Sequence, residues 1–273
     1  MGSLTDFAEL ELLDHVFNAA YSPPATIYLA LCTADPTDAA TGASCNEVAN
    51  SGNYARVVIA FGAAASRRVT QSGAVNFAQL NGSIGTASHW VITDSITYGA
   101  GNALAHGAFA TPKALVSGNT PSVATTEIYV EILGEISTYL AGKLLDLMFR
   151  NQAYSKPATY VALATAVIDE NDTGVTIVEP AGGAYARKLV NVNLGASPTW
   201  DLAALGVVDN THDVDVGPAT GASWGTITSV CIVDASGTGA GNMLMYDNTL
   251  ADQAVGDGDT VRFPAGDLDC SLS

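Results

Sequence analysis

Most of this chain is written twice. Leu12-Leu13-Asp14-His15-Val16-Phe17 returns as Leu144-Leu145-Asp146-Leu147-Met148-Phe149, and Tyr28-Leu29-Ala30-Leu31 returns as Tyr160-Val161-Ala162-Leu163. Between them, Tyr21-Ser22-Pro23-Pro24-Ala25-Thr26 matches Tyr154-Ser155-Lys156-Pro157-Ala158-Thr159. Glu47 with Tyr54-Ala55-Arg56 matches Glu179 with Tyr185-Ala186-Arg187, and Gly101-Asn102-Ala103-Leu104 matches Gly241-Asn242-Met243-Leu244. The offset moves only from 131 (Tyr54 to Tyr185) to 140 (Gly101 to Gly241), and the order never changes. A long-period repeat of this kind is one supersecondary unit used again. The expected units are 1–133 and 134–273. No Pro- or Ser-rich linker separates them, and Val130-Glu131-Ile132-Leu133 runs straight into the second unit, as expected of two units packed together.

Each unit opens on a helical pattern. Leu4, Phe7, Leu10, Leu13 and Phe17 are spaced for one buried face, as are Ile136, Leu140, Leu144, Leu147 and Met148. Ser3 or Thr5 can cap the first helix, and Asp6 and Glu9 complement its dipole. Strands are expected at 27–33, 54–60, 89–93 and 128–132, with counterparts at 160–165, 184–192, 227–233 and 268–272. The fold class this predicts is mainly β (a β-rich α+β fold). It has two tandem similar units, each an antiparallel β-sandwich or partly closed barrel with one N-terminal α-helix.

Composition agrees. The chain is 48% hydrophobic and 14% charged, with 27 Gly among many Thr and Ser, which favours short strands and tight turns. Ten Lys and Arg stand against 27 Asp and Glu, a net charge of −17, so a direct nucleic-acid partner is not expected. No run of about 18 apolar residues is present, and Met1-Gly2-Ser3 lacks a basic leader, so synthesis in the cytoplasm without membrane insertion is expected.

The search for chemistry yields little. Gly221-Ala222-Ser223-Trp224-Gly225 fits the hydrolase G-x-S-x-G pattern, but a β-branched run follows it instead of a helix, and no His lies downstream. His15, His89, His106 and His212 have no metal-ligand spacing. The acidic run Asp252, Asp257, Asp259, Asp267 and Asp269 lacks the EF-hand pattern and reads as a solvated face, although oxygen-rich loops of this kind leave Ca²⁺ as an alternative. No catalytic residue, cofactor or metal is therefore expected. The copies share Leu, Phe, Tyr, Pro, Gly and Asn, which build cores and turns. Among shared ionisable residues, Glu47 with Arg56 and Glu179 with Arg187 are expected to pair a loop to the sheet. Cys32 and Cys231 are expected as buried thiols. Cys45, in a polar loop, and Cys270, near the end of the sequence, are the candidates for an intermolecular disulfide.

The order helix, Tyr-x-x-Pro-Ala-Thr-x-Tyr-x-Ala-Leu, Thr33 to Thr37, Glu, Tyr-Ala-Arg resembles a tailed-bacteriophage virion structural family, often labelled tail fibre or minor structural protein. Ala222 to Thr228, Ile232 to Ala235 and Phe263 to Leu268 belong to the same pattern. The resemblance covers nearly the whole chain, twice. The first copy departs from it at Gly85-Thr86-Ala87-Ser88-His89-Trp90 and lacks the Pro-Ala-Gly-Asp ending. It implies a non-enzymatic virion component whose partners are the major capsid protein or tail and neck proteins, together with copies of itself. Compact acidic units put capsid decoration (a cement protein) first. A tail-fibre, collar, neck or baseplate component is the alternative, and a carbohydrate-binding attachment module with Tyr and Trp in loops as stacking platforms ranks below both, since the Trp are only Trp90, Trp200 and Trp224.

Overall fold

The computed structural model describes residues 2–192 and 195–272; Met1 and Ser273, the outermost residues of the two expected units, lie outside it. The first unit runs β1 (Gly2–Leu4), α1 (Asp6–Phe17), β2 (Tyr28–Cys32), β3 (Val57–Val58), β4 (Arg68–Thr70), β5 (Val75–Asn76), β6 (Gly85–Thr93), β7 (Ala103–Leu115), β8 (Ser122–Val123) and β9 (Tyr129–Glu131). The second runs α2 (Thr138–Arg150), β10 (Thr159–Ala164), β11 (Lys188–Val190), β12 (Val207–Val208), β13 (Val214–Val216) and β14 (Gly225–Ile227). It closes with β15 (Ser229–Val233), β16 (Met243–Asp247), β17 (Gln253–Val255), β18 (Val261–Phe263) and β19 (Cys270–Ser271).

The two units pair their strands alike. β3-β2-β6-β7 in the first corresponds to β11-β10-β15-β16 in the second, β4-β9 to β12-β19, and β5-β8 to β13-β18. The long β6–β7 hairpin slips register between Ala87 and His89; at the equivalent point, Thr228, the second unit's hairpin divides into β14-β17 and β15-β16. A second difference lies in β1. In the first unit β1 lies between β7 and β9 and joins β3-β2-β6-β7 to β9-β4 in one curled seven-stranded sheet, β3-β2-β6-β7-β1-β9-β4, with β5-β8 apart from it. In the second, the equivalent segment makes only the bridge Ile136–Met245, and β12-β19 stays separate from the main sheet.

Both helices are shorter than their apolar spacing suggested. Leu4 sits in β1 and Ile136 in a bridge, because Thr5 and Ser137 start the helices. Thr5 accepts from Ala8 N and donates to Ala103 O; Ser137 accepts from Leu140 N at 3.1 Å and donates to Met243 O at 2.6 Å. Each cap therefore also ties its helix to its own hairpin. The expected strands at 54–60 and 184–192 shrink to β3 and β11, since Tyr54 and Tyr185 leave the sheet to hydrogen-bond elsewhere.

The helices cross over between units. α1 packs on β7 of its own sheet and on β12 and β19 of the other unit, while α2 packs on β16 and on β4. Phe17 meets Trp200 with centroids 4.8 Å apart, and the equivalent pair, Phe149 and Phe61, is 5.4 Å apart. One hydrophobic cluster accordingly runs through both units. A contact made reciprocally by equivalent residues is the signature of an isologous, two-fold interface, here contained within one chain.

Candidate functional site

The polar residues that the duplication retains gather around one buried arginine per unit. Arg56 enters from the segment before β3, with its side chain 0% exposed and that of Glu47 4% exposed. Its Nε donates to Glu47 Oε1 at 3.0 Å and its Nη2 to Glu47 Oε2 at 2.7 Å. Nη1 reaches the carbonyls of Ser95 and Ala100, both at 2.8 Å, and Nη2 reaches Gly42 O at 2.8 Å. The planar guanidinium thus pins the loop before Glu47 and the β6–β7 turn to each other. Tyr54 completes the set: its hydroxyl donates to Glu47 Oε1 at 2.9 Å and accepts from Leu31 N at 2.9 Å.

The second unit repeats these contacts; a further one from Arg56 Nη1 to Thr93 Oγ1 at 3.2 Å has no counterpart, because Val233 stands at that position. Arg187 Nε donates to Glu179 Oε1 at 2.9 Å, Nη2 to Glu179 Oε2 at 2.8 Å and to Gly174 O at 2.6 Å, and Nη1 to Ala235 O and Ala240 O. Tyr185 donates to Glu179 at 3.0 Å and accepts from Leu163 N at 2.8 Å. Asp94 holds the neighbouring turn through Asn102 N at 2.7 Å, as Asp234 does through Asn242 N at 2.6 Å. That turn needs glycine. Gly101 has φ +81°, and a Cβ there would come within 2.3 Å of Asp94 Oδ1.

Electrostatically the clamp is closed. Burial favours the neutral guanidinium of Arg56, but its hydrogen bonds to Glu47 and the charge of that carboxylate outweigh this and raise the pKa above its ordinary value. Burial, reinforced by Glu47, raises the Tyr54 hydroxyl, and burial with Glu179 raises Tyr185. Each Arg donor named above is directed at a carboxylate or a backbone carbonyl, so the clamp is a framework with no donor aimed at an open face.

The thiols depart from expectation. All four cysteines are free and buried, including Cys45 at 1% and Cys270 at 4% exposure. Cys45 sits with Cys32, Ala30, Ala40, Val91 and Ala103 in a small core under the polar loop, because the Arg56 clamp draws that loop down onto the sheet. Its proximity to Cys32 raises the Cys32 thiol. Cys270 belongs to β19, paired with β12, and burial raises its pKa. Neither sulfur is placed to meet a neighbouring molecule. The equivalents of Cys32 and Cys45 are Ala164 and Ile177, so the second unit retains the packing and not the thiols.

Other candidates also resolve into packing. Ser223 Oγ donates to Val255 O at 2.6 Å. Trp90, Trp200 and Trp224 are 1%, 0% and 4% exposed, so none offers an indole face to a sugar. His15 bridges the units, its Nε2 donating to Tyr154 O at 2.8 Å and its Nδ1 accepting from Tyr21 N at 3.0 Å. Among the described residues, no group of three or more His, Cys, Asp or Glu could hold a metal ion. None of the described helices is long and apolar enough to cross a membrane.

Sequence reasoning found the Glu–Arg pairs but missed the reciprocal contacts between units. Asp14 and Asp146 were visible as repeated residues, and nothing in their spacing told where they point. A family model described as "Podophage GP4 fiber I protein gp80" matches this chain twice, over residues 3–131 and again over residues 135–271. No curated protein matches it.

Proposed function

Because the chain belongs to this podophage fibre family through both of its units, we propose that it is a structural part of a tailed-phage fibre apparatus, acting by assembly and without catalysis. The family is one of fibre-type phage structural proteins, which moves the fibre reading ahead of capsid decoration. The observation that carries the proposal is the duplicated clamp. Its Arg, Glu and Tyr side chains are spent on loop carbonyls and on one another, and the same set recurs in the second unit. Duplication that preserves a framework serves shape, and shape serves docking. The partners on this reading are other virion proteins and copies of this chain, held through area repeated by particle symmetry.

A second reading, a capsid decoration protein, is supported by the shape of the elements. The longest helix and the longest strand among the described residues each have 13 residues, well short of a fibre shaft. Cryo-electron microscopy of the particle, with copies counted at the site where this fold docks, separates the two. Six or twelve copies at the tail or neck support the fibre apparatus, hundreds on the shell support decoration, and absence from the particle overturns both.

A further inference from the structure

The two units differ at one core position in a way that opens a cleft. Trp90 pairs with Leu31 on one side and Gly107 on the other. In the second unit the same register holds Val230, between Leu163 and Asp247. The indole of Trp90 is buried under β1, so close to Gly2 that a Cβ there would come within 2.3 Å of Cη2. With valine in its place, the second unit has a cavity of about 250 Å³ between β16 and β19, bordered by Gly134, the counterpart of Gly2. Val230, Leu268 and Cys270 line its apolar floor.

Among the described residues, the lining holds Glu135, Asp247, Asp267 and Asp269 and no Lys or Arg; Arg67 reaches only the carbonyl of the bordering Gly134 and is paired with Glu170. Glu135, Asp267 and Asp269 are exposed. The volume is below the roughly 300–1,000 Å³ of ordinary small-molecule pockets and suits a single side chain.

We propose that this cleft is a docking site for an aromatic side chain, carried on a basic segment of another virion protein. The partner's ring takes the place that the Trp90 indole fills in the sister unit, and its flanking cations meet the four carboxylates. A second copy of this chain is a poorer occupant, because its own surface carries a net charge of −17. An aromatic anchor seated in a desolvated pocket is the usual form of an interface hot spot. The identity of the partner as a virion protein rests on the fibre-family reading; the cleft and its chemistry do not.

The test is calorimetric titration of the full chain with tryptamine, indole and indole-3-acetate. Tryptamine is expected to bind best. It should exceed indole-3-acetate by about tenfold or more, since the bordering carboxylates attract the ammonium and repel the acetate. Val230→Trp should fill the cleft and abolish binding of all three. Asp267→Asn with Asp269→Asn, exposed positions that leave the floor intact, should retain indole and lose most of the preference for the amine. Undetectable binding of tryptamine and indole at millimolar concentration would overturn the proposal, as would undiminished binding by a folded Val230→Trp chain. Self-association of the natural chain that Val230→Trp abolishes would make the occupant a second copy and overturn the partner assignment. Location of the protein in the particle tests the fibre reading separately.

Discussion

Asp146 on α2 accepts a hydrogen bond from the backbone N–H of Ala64 in the other unit at 2.9 Å, and Asp14 on α1 does the same for Ala203 at 2.8 Å. The reciprocity means that each helix caps a loop it is not covalently near. Around these bonds the aromatic pairs Phe17–Trp200 and Phe149–Phe61 bury the same junction. The interface is not perfectly symmetric. Arg67 forms an ion pair with Glu170 at 2.9 Å and reaches Gly134 O, whereas the position equivalent to Arg67 holds Gly206, facing Glu9.

Neither unit is expected to fold alone as a monomer, because each helix packs part of its apolar face on the other unit. Expressed singly, residues 2–133 or 134–272 should be unfolded or should pair into dimers that restore the crossed helices. Sedimentation with circular dichroism reads this out, and a folded monomer would contradict the shared core.

Phe149→Ala should cost about 3–5 kcal/mol, the usual penalty for emptying a buried aromatic site. Asp146→Ala should cost less, about 1–2 kcal/mol, because its hydrogen bond is charge-assisted but partly exposed. Both should shift a single cooperative denaturant transition. Two separate transitions would show that the units unfold independently.

Removing one partner of the clamp should be among the most damaging single changes. Arg56→Met leaves Glu47 buried without its cation and should cost about 3–5 kcal/mol, with Arg187→Met similar. Adding Glu47→Gln to Arg56→Met should recover part of that loss, because the stranded charge is then gone. Denaturant titration of the two single variants and the double variant gives the coupling.

Two groups between the units give opposite pH dependences. Burial lowers the His15 pKa below 6.5 in the folded state. Its contribution is full above that unfolded value and is lost as pH falls through the folded pKa. Glu9 is raised from 4.5 to about 7 by burial, Asp38 and Asp6. Its contribution is full below 4.5 and is lost as pH rises through about 7. Glu9→Gln should therefore raise the melting temperature at pH 8 and leave it nearly unchanged at pH 4. An equal gain at both values would mean that Glu9 titrates normally.

The four thiols should react slowly with an aromatic disulfide reagent in the native chain and fast in denaturant, since all are buried. The chain should run as a monomer on a non-reducing gel. A cross-linked dimer would mean that Cys45 or Cys270 reaches the surface.

Much of the architecture was legible because it depended on local pattern. The apolar helix faces and the Gly-Asn turns each carry their own signal, and repetition made each one readable twice. The Glu47–Arg56 pair was legible for the same reason, as two ionisable residues kept at matched places. The burial of Cys45 was not, because its loop reads as polar and only the carbonyl of Gly42, drawn in by Arg56, brings it down. Cys270 was a disulfide candidate because it lies near the end of the sequence, and its burial was not legible, since β19 pairs with β12, 62 residues earlier in the chain.

By itself, the sequence determined that two β-rich units with one helix each exist, and which residues they repeat. Tertiary structure alone decided that the helices cross between units, and that the change from Trp90 to Val230 opens a cleft instead of being absorbed by repacking. The physical reason is that periodicity reports which face of a segment is apolar. It carries no information on which distant surface covers that face, or on whether neighbouring backbone can close around a missing ring.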